Sequence, residues 1–210
     1  MRKATLLLCA GMLLSATSAR AEMAGEGGKE YGKAGIIDFG ATFSGGTTTT
    51  EYDDAGEAND TTSVILAPTV AYFLIDSLAL VGQLSVGIVN QDEGGVKVDA
   101  TGFGLGLGAA YLVNLGALHA GPAVLLRYDT LNAKVDLGPG LKGDFEESGP
   151  GATIAAIGKL PVGGGGLINL SLYYTQRMID QSIDLGPALK SDDSGTDSTI
   201  GTSVGFSVYF

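Results

Sequence analysis

The stretch Thr101-Gly102-Phe103-Gly104-Leu105-Gly106-Leu107-Gly108-Ala109-Ala110-Tyr111 alternates small residues with large apolar ones. Successive side chains of an extended chain point to opposite faces, so Phe103, Leu105, Leu107 and Tyr111 share one face. The other face carries little more than hydrogen. A flexible linker has no reason to hold large apolar residues in that phase. The stretch predicts a strand whose glycine face leaves room for large side chains from opposing strands.

The same period of two recurs along the chain. Leu80, Leu84, Val86 and Ile88 alternate with Ala79, Gln83, Ser85 and Gly87, and Leu118, Val124, Leu126 and Tyr128 with His119, Gly121, Ala123 and Arg127. Leu170, Leu172 and Tyr174 alternate with Asn169, Ser171, Tyr173, Thr175 and Arg177, and Val204, Phe206, Val208 and Phe210 with Ser203, Gly205, Ser207 and Tyr209. Three less regular segments, 33–44, 62–74 and 150–160, complete eight strands. An even number lets an antiparallel barrel close with both termini on one side.

The connections are unequal. Ile75-Asp76-Ser77, Asn114-Leu115-Gly116 and Pro161 to Gly166 read as short turns, while 45–61, 90–100, 129–149 and 180–198 read as long polar loops. Short and long alternate, so the long ones share one rim. Short periplasmic turns with long external loops are the pattern of an outer-membrane barrel. A soluble barrel would put its apolar parity inside. Here Gln83, Arg127, Asn169 and Arg177 occupy the crowded, glycine-rich parity, so that face points inward and the leucines point to lipid.

Composition narrows the rest. The chain has 210 residues, a formal charge of −11, 34 glycines, one cysteine and one histidine. So acidic a surface excludes nucleic-acid binding, and a hydrophobic fraction of 45% excludes a disordered chain. The glycines keep no period of three, which excludes collagen. Cys9 alone supports neither a disulfide framework nor a zinc site. Arg2 and Lys3, the apolar run Ala4 to Leu14 and Ala19-Arg20-Ala21 predict a signal peptide over 1–21. A periplasmic segment over 22–32 and a barrel over 33–210 follow, and the mature charge falls to −14.

Two tracts carry a resemblance. Ser203-Val204-Gly205-Phe206-Ser207-Val208-Tyr209-Phe210 resembles the C-terminal signal read by the bacterial barrel-assembly machinery, through Ser203, Gly205, Val208 and Phe210. Leu66-Ala67-Pro68-Thr69-Val70-Ala71-Tyr72-Phe73 followed by Asp76-Ser77-Leu78-Ala79-Leu80 resembles the second strand, turn and third strand of the small outer-membrane β-barrels related to OmpA, OmpX and the opacity proteins. The resemblance implies an eight-stranded antiparallel transmembrane barrel in a Gram-negative outer membrane, in contact with lipid and lipopolysaccharide. Its motifs are architectural and imply no catalytic residues. Tyr72, Tyr111 and Phe210 fall near periplasmic strand ends and Phe43, Phe103 and Tyr128 near external ends, as aromatic girdles would.

His119 would need a nucleophile and an orienting acid to serve as a base, and its place near a periplasmic strand end favours a lumen histidine. A lumen polar cluster of Asp38, Gln83, His119, Arg127, Lys159 and Arg177 is expected, with the cations paired to Asp38 and nearby hydroxyls in a filled interior. The four long connections hold 18 of the 23 acidic residues. They predict a solvated acidic rim open to an unknown extracellular ligand, and Asp192 to Asp197 does not match a calcium loop.

Val135 to Lys142 recurs as Ile183 to Lys190. Before each copy the polarity swaps, so Leu131, Val135 and Leu137, with Ile179, Ile183 and Leu185, predict an extracellular cap of inward apolar residues. The resulting expectation is a non-enzymatic envelope protein with a plugged lumen and no cofactor or metal. A narrow porin-like channel is the alternative. A lipid-modifying enzyme would need Ser, His and Asp together at the external rim, where no histidine reaches.

Overall fold

The computed structural model describes residues 30–52, 58–93, 96–136, 142–184 and 190–210. Eight strands account for nearly all of them: β1 (Ile37–Tyr52), β2 (Ala58–Ile75), β3 (Leu78–Glu93), β4 (Val96–Tyr111), β5 (His119–Asp136), β6 (Lys142–Gly163), β7 (Gly166–Asp184) and β8 (Lys190–Tyr209). A two-residue bridge, Val113–Asn114, pairs with the start of β5. Each strand pairs antiparallel with its neighbours in sequence. β1 with β8 and β4 with β5 complete the ring. No helix among the described residues is long and apolar enough to cross a membrane; the strands take that role.

The alternation read from the sequence sets the two faces. Leu80, Leu84, Leu105, Leu107, Leu126, Leu170 and Leu172 all lie on the outer surface and are at least 43% exposed. Asp38, Ser85, Thr153, Asn169, Thr175 and Ser207 are buried inside. Outward aromatics stand at both ends of the apolar belt, with Tyr72, Tyr111 and Phe210 toward the short turns and Phe103 and Tyr128 toward the other rim. Phe43 does not belong to a girdle: it is half-buried in mid-strand, opposite Leu66 and Val204.

The strands are longer than the sequence pattern suggests, at 16 to 22 residues. A tilted strand crosses the hydrocarbon in about 9–11 residues. Most of the stretches expected as long polar loops are therefore strand continuing beyond the belt. Of those stretches only the tips, 53–57, 94–95, 137–141 and 185–189, fall outside the described residues, as does the signal peptide expected over 1–21.

One ladder is shorter than the others. β2 and β3 pair from Ile75↔Leu78 to Ile65↔Gly87, whereas β1–β2 reaches Glu51↔Ala58 and β3–β4 reaches Glu93↔Val96. The β2–β3 ladder also skips Ala67 and Pro68, and proline has no N–H to contribute.

Candidate functional site

The interior is built in layers from the short-turn end upward. The first strand starts at Ile37 rather than at residue 33, because the chain before it turns into the barrel mouth. Gly32 and Gly35, with φ of +87° and +82°, allow that path. Tyr31 and Ile36 are buried against Phe73, Leu112 and Leu167, with Ala71, Ala79, Val81, Ala110, Ala123 and Leu125 completing an apolar floor. The Tyr31 ring stands edge-on to Phe73, His119 and Tyr209 at centroid distances of 5.2, 4.9 and 5.1 Å. This edge-to-face geometry is the favoured one for aromatic neighbours.

Above the floor the lining becomes polar. Lys159 Nζ and the Tyr31 hydroxyl both donate to Asp38 Oδ2, at 2.5 and 2.8 Å. Ser207 donates to Asn169 at 3.2 Å, and the hydroxyls of Thr153 and Thr175 pair at 2.7 Å. Next, Arg127 grips Asp129 through Nε and one terminal nitrogen, both at 2.6 Å, and reaches Ser85 at 3.4 Å. Higher still, one terminal nitrogen of Arg177 donates to both Glu147 and Asp197. Burial of such ions is tolerable because each is paired.

The glycine face of β4 supplies the space this arrangement needs. A Cβ on Gly104 would lie 1.9 Å from Asp129 Oδ1 and 2.4 Å from Ser85 Oγ. At Gly106 it would press on Leu125, 3.3 Å away. The small parity of residues 101–111 thus makes room for large side chains from β3 and β5.

A cavity of about 540 Å³ remains inside. It is lined by Asp38, Gln83, Arg127, Lys159 and Arg177 of the expected lumen cluster, together with Asp129, Glu147 and Asp197. The interior is not filled as expected, since the apolar floor takes up one end only. His119, the sixth member, does not line the cavity: it is buried in the floor beside Tyr31.

The pairing also differs from expectation. Of the three lumen cations Lys159 alone pairs with Asp38; the two arginines take carboxylates from stretches read as loops. Those carboxylates were legible by parity, because Asp129, Glu147 and Asp197 each continue the inward phase of their strand.

At the outer end, Leu131 lies inward and partly buried, Ile179 is 1% exposed and Ile183 sits opposite Phe145. These three residues are β-extended, with their apolar side chains on the inward parity. The side chain of Val135 and all of Leu137 and Leu185 lie outside the described part. At the C-terminus, Phe210 exchanges two 3.0 Å backbone hydrogen bonds with Ile37, joining β1 to the last residue of the chain. Ser203 lines the cavity, and Gly205 packs against the β1 backbone, where a Cβ would sit 2.1 Å from Ala41 O.

No family model and no curated protein matches the chain. Solved structures do. The outer membrane protein OprG from Pseudomonas aeruginosa superposes with a TM-score of 0.57 at 17% identity, over 85% of this chain and 97% of that one. The chain has the fold of a small outer-membrane β-barrel. A major outer membrane protein from Thermus thermophilus gives a TM-score of 0.54 at 12% identity, over 81% and 99%. The outer membrane protein AlkL, solved in lipid bilayers, gives 0.53 at 16%, over 89% and 94%. At such identities the likeness is one of fold.

Proposed function

We propose that this protein is exported through a cleaved leader, is assembled into an outer membrane by the barrel-assembly machinery acting on Ser203, Gly205, Val208 and Phe210, and works there as a non-conducting barrel. The observation that carries the reading is the floor: Tyr31, Ile36, Phe73 and Leu167 are each at most 4% exposed across the periplasmic end. A dry apolar layer is a barrier to ions and water. Beyond the membrane the barrel presents an acidic rim, and the reading assigns it to envelope integrity or contact with a partner at the surface. No part of it needs an active site, since the lone histidine is spent on packing in the floor.

The cavity above the floor favours a second reading, a narrow channel. Planar-bilayer recording of the refolded full chain separates the two. The closed floor predicts no lasting conductance steps. Stable ionic steps in the unmodified protein would favour the channel.

A further inference from the structure

The cavity has an unbalanced polar lining. Its charged residues are three cations, Arg127, Lys159 and Arg177, against four carboxylates, Asp38, Asp129, Glu147 and Asp197. Lys159 answers Asp38, and Arg127 answers Asp129. Arg177 is left to serve both Glu147 and Asp197, so the excess negative charge lies at that level. Asp197 is 4% exposed, and its Oδ1 has no hydrogen-bond partner. Buried acceptors are ordinarily satisfied, and one that is not marks a place for a donor. Asp38 Oδ1 is likewise unpartnered, but its charge is already answered, so a neutral donor suffices there.

Apart from the amides of Gln83 and Asn169, the rest of the wall is apolar or hydroxylic. Inward along alternate residues, the lining passes from Arg177 to Thr175 on β7, from Arg127 to Leu125 on β5, and from Gln83 to Val81 on β3. A volume of about 540 Å³ lies within the range of small-molecule sites. At the level of Arg177, which takes Asp197 Oδ2 and Glu147 Oε1, the buried carboxylate oxygen left unanswered is Asp197 Oδ1. Among the described residues no three His, Cys, Asp or Glu side chains are grouped to hold a metal ion. One positive charge, carried on N–H donors at the end of an apolar body, fits both the charge and the wall.

We propose that the lumen is a binding site for a small organic monocation, a primary ammonium whose head donates to Asp197 Oδ1 and whose apolar body lies along Thr175, Leu125 and Val81. This goes beyond the barrier role, and its test is independent of conductance. Refolded full-length protein in detergent micelles is titrated with hexylammonium chloride and followed by NMR, with hexanol and potassium chloride as controls.

The proposal expects saturable one-to-one binding of hexylammonium, weakened at least tenfold in Asp197→Asn, and no saturable binding of hexanol or potassium. Ala155→Leu, which adds bulk to the wall, should weaken hexylammonium tenfold and leave methylammonium unchanged. This second variant keeps the test decisive should Asp197→Asn fail to fold. Partition into the micelle would be non-saturable and indifferent to either substitution. Absence of saturable hexylammonium binding, equal affinity in both variants, or hexanol or potassium binding as tightly would each overturn the proposal.

Discussion

Lys159 Nζ lies 2.5 Å from Asp38 Oδ2, a pair joined across the lumen from positions 121 residues apart and almost sealed from solvent, with side-chain exposures of 13% and 2%. Strand pairing alone does not bring them together: Lys159 is registered with His119 and Asn169, and Asp38 with Ala71 and Tyr209. The contact crosses the barrel interior and ties its first strand to its sixth.

Asp38→Ala therefore strands a buried ammonium and leaves the Tyr31 hydroxyl without its acceptor. Breaking one side of a buried pair costs about 3–5 kcal/mol, to be read as a lower urea midpoint in micelles. The double variant Asp38→Asn with Lys159→Met should recover much of the loss. A single variant as stable as the parent would show that the pair does not brace the barrel.

The floor is held by shape. Phe73 is fully buried among Tyr31 and the apolar side chains around it. Phe73→Ala should cost about 3–5 kcal/mol. Tyr31→Ala with Ile36→Ala should leave strand pairing intact but open the barrier, giving conductance steps that the parent should lack, while boiled and unheated samples should still differ in gel mobility as expected of a closed barrel. A double variant as silent as the parent would place the barrier elsewhere.

Gly104→Ala drives a methyl into the Arg127–Asp129 pair, whose carboxylate would be 1.9 Å away. Overpacking of this kind costs about 1–3 kcal/mol. Gly158→Ala, where the nearest neighbour would be Leu118 Cδ1 at 3.5 Å, should change stability by less than about 0.5 kcal/mol. Equal urea midpoints for the two variants would refute this role for the glycine face.

At the short-turn rim, Asp76 accepts from the Ala34 backbone N–H at 3.0 Å and from Lys33 at 3.2 Å. The Ala34 N–H first, and then Lys33, holds the Asp76 carboxyl below its ordinary range, while Asp76 pushes the Lys33 ammonium above its own. A carboxylate with a depressed pKa contributes stability that is present above its unfolded value and lost as pH falls through the folded one. The lysine contribution is present below its unfolded value and lost as pH rises through the raised one. The anchor should hold from weakly acidic to weakly basic pH. The protection of the Ala34 amide, its exchange rate taken relative to the intrinsic rate at each pH, should fall only below the ordinary aspartate range of about 3.9, and should be lower at every pH in Asp76→Ala. Constant protection across that range would remove the anchor.

Face assignment was legible because its signal is local: glycine at 102, 104, 106 and 108 opposite Phe103, Leu105 and Leu107 needs no partner to be read. Strand ends are not, because a polar stretch reads as loop whether or not it stays extended. At Asp129, Glu147 and Asp197 the chain stays extended beyond the lipid, where water lies outside the wall and polar residues cost nothing. Lys159 and Asp38 were both placed inward and paired, whereas the partners of Arg127 and Arg177 were missed for the same reason as the strand ends. The floor was hidden by tertiary context. Tyr31 and Ile36 precede the first strand, and nothing in their spacing says that they enter the mouth.

The direction of the two faces in lipid underlies every role given to the lumen and the floor. Photolabelling of the refolded protein in vesicles with a diazirine confined to the acyl region tests it most directly. Outward leucines predict label at Leu84, Leu105, Leu126 and Leu172 and none at Gln83, Asn169 or Arg177. Label on the second set with the first set spared would contradict it.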